Sequence, residues 1–376
     1  MSGSAIVVGA GVGGLTAAIA LDRRGWDVRV YERAYSMEAA GAGLALGPNA
    51  LTALDSIGLG ETVRGLSALQ GEAGIQRRNG RWLSRTSAEV AEERFGNPTV
   101  VLHRAALLDT LESAVPDGAI TLGAEATLVE PEFGRVVFAD GTSAKADLVV
   151  GADGLRSAIR AQIFPEHPGT AYAGVTSWRI VVNRPTSEVL ATETWGRGKV
   201  FGTAVLADGR IYCYATATAP AGERAADEKA ELARQFAGWH DPIPALIDAA
   251  DTVLRTDIHC LARPLGRLSS GKVVLLGDAA HAMTPNLGQG ACQAIEDAVV
   301  LGQYAEKPGG LMLYSAERAK RTAMVAKRSR RITDLTSVSN PVGVAARDTA
   351  MWLAGRLGPN LVLRQMEPVF NWRPPA

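Results

Sequence analysis

Residues 4–33 read SAIVVGAGVGGLTAAIALDRRGWDVRVYER, and the order of residue types in this stretch specifies a strand, a tight turn, a helix and a second strand. Residues 5–8 are a short apolar run of the kind that makes a buried parallel strand. Gly9, Gly11 and Gly14 follow at the G-x-G-x-x-G spacing, ahead of an apolar-periodic stretch over residues 15–21. Gly9 permits the sharp turn, Gly11 lets backbone approach a pyrophosphate, and Gly14 lets helix pack closely on strand. Phosphates then sit on the helix N-terminus, where free N–H groups and the macrodipole favour anions. Residues 28–31 form the second strand, which ends in Glu32. A carboxylate there accepts hydrogen bonds from adenosine ribose hydroxyls and disfavours a 2′-phosphate, so the site suits FAD or NAD and argues against NADP.

Composition sets outer limits. The chain has 376 residues, enough for one large composite unit or two domains sharing a ligand. Lys plus Arg and Asp plus Glu both number 39, so the charge balance gives no reason to expect nucleic acid. Cys213, Cys260 and Cys292 are widely separated with no C-x-x-C, which suggests neither a disulfide framework nor a metal cluster and fits a reduced cytoplasm. The sequence has no run of the roughly 18–20 apolar residues that a membrane helix needs.

Further along, residues 41–49 are a glycine-punctuated loop that includes Gly41 and Gly43, and Pro48 opens a helix to about residue 57. Residues 71–100 are mixed and turn-rich. His103 and Arg104 lead a helix whose core face is Leu107, Leu108 and Leu111. Short strands are predicted over residues 119–122, 126–129 and 136–138, and residues 148–150 return a buried strand to the main sheet. That strand runs into Gly151, Asp153 and Gly154, at the strand end where α/β sheets bind ligands; an ordinary turn before a helix cap gives the same pattern. Residues 176–182, 188–195, 200–206 and 211–218 alternate in the manner of an antiparallel sheet, the natural wall of a substrate chamber. Helices are predicted over residues 226–237 and 243–250.

A second glycine-rich segment ends the strand at residues 273–276. It reads LLGDAAHAMTP over residues 275–285. Asp278 is placed to grip ribityl or ribose hydroxyls, and Gly288, Gly290 and Ala291 open a helix whose free N–H groups stabilise negative charge on a reduced flavin. His281 reads as a local structural hydrogen-bonding group.

With these segments in place the chain resembles the group A FAD-dependent aromatic monooxygenases, which include salicylate, 4-hydroxybenzoate and urate hydroxylases. The likeness rests on Gly9 to Gly14 with Glu32, on Asp153, Gly154, Ser157 and Arg160, and on Gly277 to His281 with Pro285, and it spans most of residues 4–304. It implies an α/β fold with a Rossmann-like FAD-binding domain of the glutathione-reductase type, an inserted antiparallel β-sheet substrate domain and C-terminal helices. The implied division is 1–70, 98–170 and 255–310 for FAD, 71–97 and 171–254 for substrate, and 311–376 for the helical end. By resemblance, Glu32 and Arg33 hold the adenosine end, Arg104 reaches the ribityl and pyrophosphate region, Ala126 lies by the adenine, and Asp278 binds the ribityl chain. Pro285, Gly288, Gly290 and Ala291 line the flavin ring, Asp153 serves FAD and the reduced nicotinamide, and Gly41, Gly43 and the loop 288–290 allow the ring to move. The implied chemistry is reduction of FAD by NADH or NADPH, formation of a C4a-hydroperoxide with O2, and hydroxylation of an electron-rich aromatic or polyketide-like small molecule. Glu32 does not discriminate the nicotinamides, since it serves FAD.

For substrate, the implied wall is Trp178, Trp195, Val200, Phe201, Tyr212 and Tyr214, with Arg179 neutralising a phenolate or carboxylate; Arg179, Tyr212 and Pro285 are the candidate catalytic residues. Urate hydroxylases carry an arginine where Val200 stands, which argues against urate. A flavin-fold cyclase or ligand carrier without redox turnover is the alternative. The basic helix over residues 311–336 reads as a solvated face, residues 341–366 as a chamber cap or dimer contact, and the protein as a monomer or homodimer.

Overall fold

The computed structural model describes residues 3–37, 43–66, 71–183, 189–356 and 358–375, with the side chains of 359–362 excluded. Gly41 and the start of the strand expected at residues 188–195 lie outside the described residues.

The opening stretch folds as its pattern predicts. Gly3–Val8 lies parallel between Trp26–Tyr31 and Leu148–Gly151, and Val273–Leu275 continues the sheet in parallel beyond Leu148–Gly151. Ile120–Thr121 and the antiparallel Ser269–Ser270 complete six strands. Both faces are covered, which is why Ile6, Val7, Val149, Val150, Val273 and Val274 form unbroken apolar runs instead of an alternation. Helix Val12–Asp22 is buried from Val12 to Leu21 and packs against helix Gln289–Tyr304. The approach is close because Gly302 faces Ala20: a Cβ there would stand 3.0 Å from the Ala20 carbonyl oxygen. Glycines 9 and 14 answer to similar contacts. Gly9 has φ +106°, and a Cβ on Gly14 would stand 1.9 Å from the Gly9 carbonyl oxygen.

The second sheet is larger and less regular than the alternation alone predicts. Its order is Leu254–Leu261, Thr170–Val182, Ile211–Thr218, Lys199–Val205, Ala191–Trp195, Glu72–Arg77 and Trp82–Ser87. Residues 71–100, read only as turn-rich, contribute a hairpin and the helix Ala88–Phe95. The hairpin joins Ala191–Trp195 in parallel, so the sheet is mixed and not wholly antiparallel. Leu254–Leu261 extends the same sheet at its far edge, so a boundary at residue 255 does not coincide with a sheet boundary. Period 2 gives each strand two faces. One face packs Trp178, Ile180, Phe201, Cys213 and Ala215 against helices Glu228–Gln235 and Ile243–Asp248 in a separate core. The other face looks toward the first sheet, and the space between them is the site.

The helical end packs on elements that border this space, and none of its described residues lines the cavity, so the chamber cap expected over residues 341–366 is not seen there. Gly310–Thr336 runs beside Gln289–Tyr304, and Pro341–Arg356 packs on strand Trp82–Ser87. The basic helix is not simply a solvated face. Lys320, Lys327, Arg330 and Arg331 are exposed as expected, but Arg318 and Arg321 turn inward, to Glu296 and Asp297 and to Glu296 respectively.

Candidate active site

A cavity of about 570 Å³ lies between the glycine turns of the first sheet and the free face of the second. That is within the usual range for a small-molecule site. Gly11, Gly14, Gly43, Arg104, Gly154, Asp278, Pro285, Gly288, Gly290 and Ala291 line one side. Ser177, Arg179, Glu193, Val200, Tyr212, Tyr214 and Thr216 line the other.

Each element of the first side presents backbone. Helix Val12–Asp22 begins at Gly11 with no side-chain cap, leaving its first N–H groups for a ligand. Glu32, at the end of Trp26–Tyr31, folds under the turn: its two oxygens accept from the Ala10 N–H at 2.7 Å and the Ala34 N–H at 2.9 Å. Arg33 is exposed beside it. Ala126 lies two residues beyond Ala124, whose N–H donates to the Glu32 carbonyl. Neither Arg33 nor Ala126 lines the main cavity.

The second and third motifs are bolted together. Ser157 Oγ accepts from the Arg160 N–H at 2.8 Å, and Arg160 donates to the Ala279 and Leu155 carbonyls at 2.9 and 2.7 Å. Burial pulls the Arg160 guanidinium down while the charges of Asp153 and Asp278 hold it up. Behind Asp278, His281 Nε2 and the Gly277 N–H both reach Asp297 Oδ2, at 2.5 and 2.9 Å. His281 thus makes a local structural hydrogen bond of the kind read from the sequence. Burial raises the Asp297 carboxyl, but His281 and Arg318 outweigh it and bring the value down to about 2.

Whether these residues fit a flavin dinucleotide can be tested on the fold itself. A Cβ at Gly11 or at Gly154 would meet nothing within 4 Å, so both glycines border open space instead of a protein neighbour. Asp153 Oδ2 accepts from the Ile159 N–H at 3.1 Å, while its Oδ1 is buried without a partner. A buried carboxylate oxygen without a partner at the rim of an open cradle is what a ligand hydroxyl or amide would satisfy. The residues fit FAD.

On the substrate side, the sequence reading needs two corrections. Trp178 and Phe201 do not face the cavity: Trp178 donates to Glu228 at 2.8 Å, Phe201 stacks edge-on to Phe236 at 5.3 Å, and both belong to the core behind the sheet. Their neighbours Ser177, Arg179 and Val200 take the cavity face instead. Both faces of these strands carry bulky residues, so alternation fixes which residues share a face but not which face is inward. Trp195 is on the cavity side of the sheet yet buried beneath Arg347, whose guanidinium lies 5.5 Å over its ring.

Tyr212 rests on Gly43, where a Cβ would stand 2.3 Å from its ring, and that close approach joins the two halves of the cavity. Burial raises the Tyr212 phenol, with Arg179 opposing, so the hydroxyl stays protonated at neutral pH. Glu193 was missed by sequence reasoning because a lone acid in a strand reads as a solvated residue. Its only signal was parity, opposite Gly202 and in line with Tyr214.

A family model described as FAD binding domain matches residues 3–329. The chain belongs to the group A FAD-dependent monooxygenases. It is 40% identical to the aurachin C monooxygenase/isomerase of Stigmatella aurantiaca, over 92% of this chain and 93% of that protein. It is 34% identical to the 2-heptyl-3-hydroxy-4(1H)-quinolone synthase of Pseudomonas aeruginosa, over 96% of each chain. The crystal structure of Klebsiella pneumoniae HpxO complexed with FAD and uric acid superposes with a TM-score of 0.90 at 30% identity, over 98% of this chain and 96% of that one. FAD is the cofactor of this flavoprotein, and the cavity is where its glycine turns converge.

Proposed function

We propose that this flavoprotein is a single-component, NAD(P)H- and O2-dependent monooxygenase that hydroxylates an electron-rich aromatic ring held against Arg179, Val200, Tyr212 and Tyr214. One observation carries the reading: the dinucleotide turns and a polar, aromatic-lined sheet face border the same cavity. FAD supplies the redox and oxygen chemistry when bound. The chain's own residues bind, orient and exclude water. Residues 1–70, 98–170 and the part of 255–310 beyond strand Leu254–Leu261 are assigned to FAD, and the seven-stranded sheet to substrate.

Gly9, Gly11 and Gly14 hold the pyrophosphate, Glu32 and Arg33 the adenosine end with Ala126 near the adenine, Arg104 and Asp278 the ribityl region, and Asp153 the orphaned acceptor site. Pro285, Gly288, Gly290 and Ala291 would border the ring, and the uncapped start of helix Gln289–Tyr304 would offer it N–H donors. Arg179 stabilises a phenolate over the neutral phenol, and the phenolate ring is the more electron-rich toward electrophilic oxygen. Tyr212, kept as a neutral phenol, donates to or accepts from the substrate. Val200 makes this part of the wall apolar, which disfavours urate.

The test is direct. Purified protein is expected to retain FAD, to oxidise NADH or NADPH faster when a suitable aromatic is added, and to yield a product heavier by one oxygen. Retained FAD with no aromatic-stimulated oxidation across a broad panel would favour the cyclase or carrier reading.

A further inference from the structure

One row of the second sheet runs straight across four strands. Arg179 is opposite Tyr214, Tyr214 opposite Gly202, and Gly202 opposite Glu193. Residues directly opposite share a face, so this row sets a cation and a carboxyl on the same wall, three strand spacings or about 14 Å apart along the backbone. Arg179, Tyr214 and Glu193 all line the cavity. Gly202 makes room between them: a Cβ there would stand 2.1 Å from Tyr214 Cζ, so the Tyr214 ring occupies that space. Its hydroxyl donates to Glu193 Oε1 at 2.7 Å, and Trp195 Nε1 donates to Oε2 at 2.8 Å.

Glu193 thus has two neutral donors, and among the described residues it makes no ion pair. The same protein shows what a structural buried glutamate looks like. Glu296 is held by Arg318 and Arg321, with Asn49 and Gln293 completing its shell. Burial pushes the Glu193 carboxyl up, and the Tyr214 and Trp195 bonds only partly oppose it. A carboxylate offers about four acceptor sites. Two are used here, on a group that faces the cavity, and a carboxyl taken from water without a cation is costly unless a further donor reaches it.

We propose that Glu193 is a second substrate anchor: the cavity takes an oxo-substituted nitrogen heterocycle whose ring N–H donates to Glu193 while its oxo group faces Arg179. This rests on the reading that the aromatic substrate lies in this cavity. Glu193 then selects for N–H-bearing rings and fixes which ring edge faces the rest of the cavity.

The test is equilibrium dialysis of FAD-loaded protein with 4(1H)-quinolone and with chromone, which places an ether oxygen where the quinolone has its N–H. Wild type is expected to bind the quinolone about ten- to a hundred-fold more tightly than chromone. Glu193→Gln is expected to lose most of that preference with little effect on chromone binding. Tyr214→Phe, a change in the wall itself, is expected to weaken both ligands alike and leave their ratio in place, which separates a direct contact from a carboxyl that only orients the tyrosine. If Glu193→Gln fails to fold, the wild-type preference and its loss at acid pH still decide the matter. Equal binding of the two ligands, no quinolone binding, or a preference retained in Glu193→Gln overturns the proposal. Hydroxylation of some aromatic without this preference sinks the anchor alone, whereas an N–H preference with no aromatic-stimulated NAD(P)H oxidation sinks the monooxygenase reading alone.

Discussion

Gly11 and Gly14 sit three residues apart in one turn and do different work. A Cβ at Gly11 meets no protein atom, whereas one at Gly14 runs into the Gly9 carbonyl. Gly11→Ala is therefore expected to keep the wild-type melting temperature of the FAD-free protein but to lose FAD, measured as flavin released per chain. Gly14→Ala is expected to lose FAD and at least about 1–3 kcal/mol of stability as well. Equal losses of stability in the two variants would contradict this placement of the cofactor. On the opposite wall, Arg179→Met removes the cavity's facing cation, and KM for an anionic or oxo-bearing aromatic is expected to rise about ten- to a hundred-fold with FAD content unchanged. An unchanged KM would remove Arg179 from the substrate site. Glu193 leaves a signature in stability. The folded chain holds its proton more tightly than the unfolded chain, so stability falls as pH rises past the ordinary 4.5 toward the raised folded value, and stays lower above it. Glu193→Gln abolishes that loss. Its melting temperature relative to wild type should climb from acid to neutral pH, and a flat difference would mean the carboxyl is not raised.

Between elements, the strongest tie is the buried network joining helices Gln289–Tyr304 and Gly310–Thr336 to the Gly277–His281 turn. Arg318 reaches Glu296 and Asp297 at 2.6 Å each, with all three side chains fully buried. Replacing a buried pair by apolar residues is often neutral, but removing one partner strands the other. Arg318→Met takes one of two cations from Glu296 and leaves Asp297 with only His281 and the Gly277 N–H, and is expected to cost about 3–5 kcal/mol in denaturant unfolding; a loss within about 0.5 kcal/mol would show the network to be incidental. The depressed Asp297 carboxyl contributes stability above the ordinary 3.8, and that contribution is lost as pH falls toward about 2. This network marks the limit of what sequence shows. The strand, turn and helix of residues 3–22 and the Gly277–His281 turn were legible because glycine spacing and apolar runs are local. Arg318, Glu296 and Asp297 were not, because a charge on an amphipathic helix reads as solvated until its partner 21 or 22 residues away is seen to face it. The inward face of Trp178 and Phe201 was lost for a related reason: helices Glu228–Gln235 and Ile243–Asp248 cover one face of the sheet, and a strand's own residues do not say which.

At the scale of the whole molecule, the chain weaves between two sheets, and the cavity exists only because both are formed. The first sheet draws on residues from 3 to 275 and the second on residues from 72 to 261, so neither is a contiguous half. Gly43 against Tyr212 and Arg347 over Trp195 are two of the points where the glycine loops, the second sheet and the helical end touch. The proposed function is a property of that convergence, since glycine turns and a polar, aromatic sheet face border one cavity. The most direct test is turnover with NAD(P)H and a stimulating aromatic under isotopically labelled dioxygen, with the product analysed by mass. Incorporation of one labelled oxygen atom into the aromatic, reduced at low substrate in Arg179→Met in step with its raised KM, is the expected result; NAD(P)H oxidation that leaves the aromatic unlabelled and unchanged would contradict the account.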